Sequence, residues 1–253
     1  MKKILPIIFI LILSSCSNKV PEEDLQVRKG ITYEVNSSIP FTGNSTSGYY
    51  KDGKREGLWK NFRDGKWYQR GNYKDGKKEG TFRSSIDGTK YIETYKNGVM
   101  NGPYEGYHYN GEVEFRVNFK NGKKDGLYER FDSDGSIHWF ETYKDGKLNG
   151  PYKTFFSNGQ VGKSGNYKDG ERDGLWEQYF DNGQLRETGK FYNGRKDGLW
   201  KQFEEDNGNP TLTERYFKGK LTGCYKGKNE RLYKKEDEVD MWNCENNYSP
   251  LEN

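Results

Sequence analysis

One ten-residue phrase, written eight times, constrains this chain more than any other feature. Its clearest copy runs Tyr167-Lys-Asp-Gly-Glu-Arg-Asp-Gly-Leu-Trp176. The others begin at Tyr50, Tyr73, Tyr95, Phe119, Tyr143, Phe191 and Tyr216, spaced 22 to 25 residues apart. A repeat of this length is one supersecondary unit that cannot bury its own apolar face, so neighbours must stack. Each phrase carries two glycines four residues apart, such as Gly146 and Gly150 or Gly170 and Gly174. An aromatic follows the second glycine by two positions: Trp59, Phe82, Tyr104, Tyr128, Tyr152, Trp176, Trp200 and Tyr225.

A third glycine closes the other end of each unit. Asp64-Gly65, Asn110-Gly111, Asp134-Gly135, Asn158-Gly159 and Asn182-Gly183 read as two-residue hairpins of type I′, which need positive φ at both central positions. The Tyr-Lys-Asp-Gly end is expected to be a longer loop that returns through the second glycine. Between these signals lie runs of six to eight residues, so the chain reads as a meander of antiparallel strands. Pro103 and Pro151 sit at strand starts, where a missing N–H does little harm. Period-two reading places Trp176, Gln178 and Phe180 on one face, with Leu175 and Tyr179 on the other.

Composition agrees. The chain of 253 residues has no alanine, 32 glycines and 16% aromatics. Alanine favours helices and glycine disfavours them, while Tyr, Phe and Trp favour strands. Helical bundles and doubly wound α/β enzymes are therefore excluded. The aliphatic share is low, which in a polar chain signals disorder. Here, however, the net charge is only +4 and there are 20 tyrosines, so rings replace the aliphatic core. The expected class is all-β, an elongated antiparallel hairpin-repeat sheet or solenoid.

The phrase, followed by Phe/Tyr-x-x-Asn-Gly-x-Leu, resembles the MORN repeat in its bacterial variant. The resemblance covers residues 33–225, and Ile39-Pro40-Phe41-Thr42-Gly43 looks like a degenerate opening unit. It implies an interaction scaffold, since eukaryotic relatives are associated with membrane-proximal scaffolding. Many bacterial members carry the label of a toxin–antitoxin antitoxin component, which implies the alternative of an immunity partner for a toxin.

Residues 1–15 read as a secretory signal: Lys2-Lys3, an apolar run from Ile4 to Leu13, then Ser14-Ser15. The run is shorter than a membrane span. Leu13-Ser14-Ser15-Cys16 resembles the lipobox of bacterial lipoproteins, which implies cleavage before Cys16 and acylation there. Several acyl chains anchor stably where one does not. Ser17 then implies, by the enterobacterial sorting pattern, an outer-membrane, cell-envelope location. Residues 16–32 are expected to be a polar tether, and residues 226–253 a capping segment and tail.

In an oxidising compartment Cys224 and Cys244 are expected to pair or to remain two free thiols. Pairing would contribute about 3 kcal/mol by the loop-entropy relation. The chemistry-bearing residues are few. His108 and His138 lack a neighbouring ligand at metal spacing. Asp132-Ser-Asp134-Gly135 lacks the later bidentate acid of a calcium loop. Gly71 to Lys77 imitates a phosphate loop, but Lys78 stands where Ser or Thr is needed and no helix follows. Acids such as Asp125, Asp173 and Asp197 recur with the repeat and so read as loop-forming rather than catalytic. Lys51, Lys74, Lys96, Lys120, Lys144 and Lys168 recur likewise and read as a solvated row rather than a phosphoinositide site.

No catalytic residue, metal or cofactor is assigned. A near-neutral chain of mixed sign is not expected to bind nucleic acid electrostatically. The expected function is a non-enzymatic, membrane-anchored scaffold for a protein or glycan partner. Trp59, Tyr104, Tyr128, Tyr152, Trp176 and Trp200 are its candidate contact aromatics. A glycan-acting enzyme would need two carboxylates about 5 to 10 Å apart in a cleft, and the sequence offers no unique pair.

Overall fold

The computed structural model describes residues 19–226. They form strands and one short 3-10 turn, Glu22–Asp24, as the all-β hairpin-repeat reading expects. The chain divides into two compact units, residues 1–79 and 80–253.

In the first unit β1 (Leu25–Arg28) pairs with β2 (Ile31–Glu34). Then β3 (Gly43–Asn44), β4 (Tyr49–Lys51), β5 (Lys54–Arg63) and β6 (Lys66–Lys74) pair in chain order. This corrects the tether expectation for its described part. Val20 donates its N–H to Asn44 (2.9 Å), and Thr32, 4% exposed, donates to Gly53 (2.9 Å). Burying those backbone groups requires such partners, so the segment is folded onto the first hairpins from Val20 onward. The degenerate opening unit is a short hairpin whose Phe41 packs edge-on against Tyr50 at 5.7 Å.

In the second unit the strands also follow chain order: β7 (Lys77–Ile86), β8 (Thr89–Lys96), β9 (Val99–Tyr107), β10 (Val113–Lys120), β11 (Lys123–Phe131), β12 (Ile137–Lys144) and β13 (Lys147–Phe155). The meander continues through β14 (Val161–Lys168), β15 (Glu171–Tyr179), β16 (Leu185–Tyr192), β17 (Arg195–Phe203), β18 (Pro210–Phe217) and β19 (Lys220–Lys226). Each is antiparallel to the next, from β7–β8 to β18–β19.

The two ends of the repeat exchange the turn types expected for most units. The tight type I′ turns lie within the phrase. Asp145 (φ 50°) and Gly146 (φ 86°) are both left-handed, and Lys144 pairs directly with Lys147. At the opposite end Asn110, Asp134, Asn158 and Asn182 keep ordinary φ, and only the following glycine is left-handed. There the side chain closes the turn instead: Asn158 Oδ1 accepts the Gln160 N–H at 3.0 Å, and Asn182 Oδ1 accepts that of Gln184 at 2.9 Å. Such local side-chain bonds stabilise wider turns. Asp64-Gly65 is an exception and is a two-residue turn as expected, and Asp87-Gly88 is another. An Asn/Asp-Gly pair therefore marks a turn at either end but does not set its width.

The second glycine is no loop. Ser164 pairs with Glu177 and Asn166 with Asp173, so an irregularity sits at Gly174 inside β15. Gly174 has φ 72°, a conformation glycine adopts without a Cβ penalty, and the strand continues through this bulge.

Successive units are tied at the type I′ end. Gly146 donates to Lys124 O and Gly170 to Leu148 O, both at 2.8 Å. The recurring acids serve the same join: Asp125 Oδ2 accepts the Asp145 N–H at 3.2 Å, and Glu56 Oε2 that of Asp75 at 2.9 Å. Their periodicity is structural, as expected.

Candidate functional site

The phrase aromatics point to one face of the sheet and interlock there. Tyr167, Trp176, Phe191 and Trp200 meet edge to face, with successive centroids 5.2, 5.9 and 4.9 Å apart. Tyr50, Trp59 and Tyr73 do the same in the first unit, at 4.7 and 6.0 Å. Edge-to-face geometry adds to area burial. Trp59, Trp176 and Trp200 are 1%, 6% and 4% exposed. This corrects their assignment as contact residues: they are core. Tyr104, Tyr128 and Tyr152 are half-buried in the column of the second unit.

The tryptophans share a feature that the repeat phrase does not reveal. Each of these tryptophans lies across a glycine: Trp59 across Gly48, just before β4, Trp176 across Gly165 in β14, and Trp200 across Gly189 in β16. The indole Nε1 then donates to the carbonyl of the next residue, Tyr49, Asn166 or Lys190, at 3.1 Å in every case. Tyr152 has Glu141 on one side and Gly165 on the other, whereas Tyr104 and Tyr128 have larger residues on both. Tyr104 faces Glu93 and Val117, and Tyr128 faces Val117 and Glu141. The aromatic covers the glycine as cross-strand rings rescue bare positions elsewhere. Glycines such as Gly165 and Gly189, outside the three turn and bulge positions, are legible only once this pairing is known.

Cations cap the rings. Arg55 lies over Trp59 (4.5 Å), Lys124 over Tyr128 (4.1 Å), Arg172 over Trp176 (4.6 Å) and Lys196 over Trp200 (4.2 Å). All four occupy the sixth position of the phrase. Partly desolvated cation–ring contacts are favourable. Burial pushes the Lys124 ammonium below its usual range, with Glu141 opposing. On this face Tyr143 donates to Glu141 (2.6 Å) and Tyr216 to Glu214 (3.1 Å). Lys196 Nζ stands 3.3 Å from Glu187 and 3.9 Å from Glu214. These carboxylates are engaged by their neighbours.

A pocket between β14 and β17 has Trp176, Phe191 and Trp200 on its floor and Lys163, Arg172, Gln178 and Glu187 at its rim. Its volume is ≈ 60 Å³, against several hundred for a site that encloses a small molecule. The ring faces below it are covered by Arg172 and Lys196, so no open stacking platform is presented.

Phenolic protons are held tightly. The bond to Glu105 pushes the Tyr107 hydroxyl up to about 12, aided by burial. Burial, with Glu214, pushes Tyr216 up to about 12. Both exceed the ordinary 10.0. A group whose folded value is raised keeps its proton longer when folded. Its contribution is whole below pH 10 and is lost as pH rises from 10 towards 12. Alkaline titration followed by phenolate absorbance should show a tyrosine class ionising only near pH 12 or on unfolding. Ionisation of every tyrosine near pH 10 with the fold intact would contradict this geometry.

Other expected positions fall as follows. His138 Nδ1 lies 3.2 Å from Asp132, while His108 Nε2 meets the Phe131 carbonyl at 2.9 Å. Among the described residues no group of three or more His, Cys, Asp or Glu is placed to hold a metal. Cys224 is 5% exposed and disulfide-bonded, and Cys244 lies outside the described residues, as do Cys16, the signal segment and the tail. No described helix is long and apolar enough to cross a membrane.

The face opposite the column packs a few rings of its own, half-buried Phe140 and Phe155 at 6.2 Å among them, but exposes much of its surface. It carries Leu127, Leu175 and Leu199, each 43–48% exposed, from the ninth position of the phrase. Toward the type I′ turns it carries the recurring lysines.

With this geometry in hand, comparison with known proteins finds one family. The model described as "MORN repeat variant" matches residues 100–121, 148–169 and 172–193. No curated protein matches. Among solved structures, the chain is similar over 42% of its length to a mutant of S. aureus TarM in complex with fondaparinux, alpha-GlcNAc-glycerol and UDP. The identity is 15% and the TM-score 0.21, and the match spans 18% of that chain. At that score the likeness carries no argument.

Proposed function

We propose that this chain, which carries repeats of the MORN variant type, is a non-enzymatic interaction scaffold held at a bacterial envelope membrane through acylated Cys16. Its binding element is the exposed outer face. One observation carries the reading: both faces hold rings, cations and carboxylates in mutual contact, but the outer face also repeats lysine and leucine at a fixed interval and leaves them exposed. A repeated, rigid, exposed surface suits an extended partner, protein or glycan, better than a small substrate.

Two measurements test it. Cys16→Ser should move the protein from the membrane fraction to the soluble fraction, and unchanged fractionation would remove the anchor from the proposal. A pull-down of the mature protein from envelope extract should recover a partner by way of the outer face. Recovery unaffected by Leu175→Glu together with Leu199→Glu would refute the face assignment.

A further inference from the structure

The type I′ edge of the second unit gathers positive charge in a way the fold does not require. Each of its hairpins ends in a cross-strand pair just before the turn, all exposed on the outer face. Lys120 lies opposite Lys123, and Lys144 opposite Lys147. Like charges directly opposite one another destabilise a sheet. Repeating that arrangement in adjacent hairpins breaks a local rule with no gain in packing, which is the signature of a position held for another purpose. The remaining pairs are Lys96–Val99, Lys168–Glu171, Tyr192–Arg195 and Phe217–Lys220. The row thus holds one carboxylate, Glu171, and the nearest turn acids are Asp145 and Asp169. None of the described ion pairs engages a row lysine.

Three features define what such a row fits. Its lysines at 96, 120, 144 and 168 recur every second strand, about 10 Å apart from the strand spacing. That interval is close to the length of one disaccharide in an extended polysaccharide. The row is tied to the fold, because the turns at Gly122, Gly146, Gly170, Gly194 and Gly219 are bonded to the unit before them through glycine N–H groups at 2.8–3.0 Å. It also changes character at its C-terminal end, where the same position holds Tyr192 and Phe217, each 62% exposed. Exposed rings suit the C–H faces of sugars, and lysines suit their carboxylates.

We infer that this edge binds an acidic, extended glycan lying across the strands, with Lys120, Lys123, Lys144 and Lys147 meeting its anionic groups and Tyr192 and Phe217 stacking on its sugars. This deepens the scaffold reading by naming the partner class and the edge of the outer face that receives it.

The test uses the full chain carrying Cys16→Ser, purified in soluble form, and measures binding to polygalacturonate by affinity electrophoresis. Neutral dextran, single-stranded DNA and vesicles of mixed phosphatidylglycerol and phosphatidylcholine serve as the other ligands. The expected result is retardation by polygalacturonate that weakens with salt, and none by dextran. Lys120→Glu with Lys144→Glu should weaken it about tenfold or more, as loss of polyanion contacts and their released counterions does. Tyr192→Ser should weaken it several-fold at high salt, where stacking outlasts screening. Lys201→Glu, exposed on the same face but away from the row, should leave it unchanged, which separates the row from net charge. Absence of retardation overturns the inference, as does equal loss with Lys201→Glu. Stronger binding to DNA or to vesicles than to polygalacturonate overturns it too. A partner protein captured by the outer face, with no glycan binding, would leave the scaffold reading standing and remove this one.

Discussion

Trp176→Ala lowers the stability of the repeat sheet by about 3–5 kcal/mol, the range for removing a large buried aromatic. The ring stands between Tyr167 and Phe191 at 5.2 and 5.9 Å, stacks on Tyr152 at 5.6 Å and carries Arg172 at 4.6 Å. Its removal opens a cavity next to Gly165, which has no side chain to fill it, and leaves the Asn166 carbonyl without its indole donor. Trp176→Phe keeps most of the packing and loses that bond, so it should cost less, with about 1 kcal/mol from the hydrogen bond. Urea denaturation followed by circular dichroism reads both changes. A loss below about 1 kcal/mol for the alanine variant would mean that the column is not the core. Because each unit contacts mainly its neighbours, the loss should appear as an early transition of the surrounding hairpins rather than a uniform shift.

Gly189→Val should be of comparable severity, by the opposite mechanism. A Cβ at that position would stand 2.1 Å from Cδ2 of Trp200 and 2.3 Å from Cε2. The indole is held by its bond to Lys190 O and sits under Lys196, so it cannot yield without losing both. Overpacking of this kind costs about 1–3 kcal/mol and sometimes more. Valine is otherwise favoured in strands, and Val117 occupies the equivalent position in β10. The decisive measurement is therefore the double variant. With Trp200→Ala, Gly189→Val should become neutral or stabilising, giving a coupling energy well above the ~0.5 kcal/mol expected of independent sites. Additive losses in the two variants would show that the ring and the glycine do not form one unit.

Much of this architecture is legible in the residues. Eight phrases with paired glycines predict a meander, and the period-two alternation predicts which side of each strand carries Trp176 or Tyr128. The face assignment survives because a strand offers only two faces and the aromatic column occupies one of them. The exchanged turn widths were not legible. Asp145-Gly146 and Asn158-Gly159 are nearly the same dipeptide, and what separates them is whether the Asn side chain folds onto Gln160 or the backbone takes positive φ in both residues. That choice depends on which strand residues pair across the turn. The tether expectation failed for the same kind of reason: Thr32 looks like any polar linker residue until Gly53 receives its N–H.

The functional assignment shifted with the structure. Tryptophan in a repeated phrase reads equally well as contact surface or as core, because sequence gives ring size and spacing but not what covers the ring. Gly48, Gly165 and Gly189 carried the missing signal, each lying under a tryptophan of the column. The lysines at 120 and 144 read as a solvated row in the sequence. Only the strand register put Lys123 and Lys147 directly across from them.

By itself, then, the sequence determined the repeat, its period, the strand order and the side of each strand that carries the phrase aromatic. These follow from local rules of turns and alternation that act within a few residues. The tertiary structure decided which glycine bends and which one is covered, which rings are buried, and where like charges meet. Those depend on residues more than ten positions apart brought to a few ångströms by pairing, a distance over which spacing along the chain carries no information about contact.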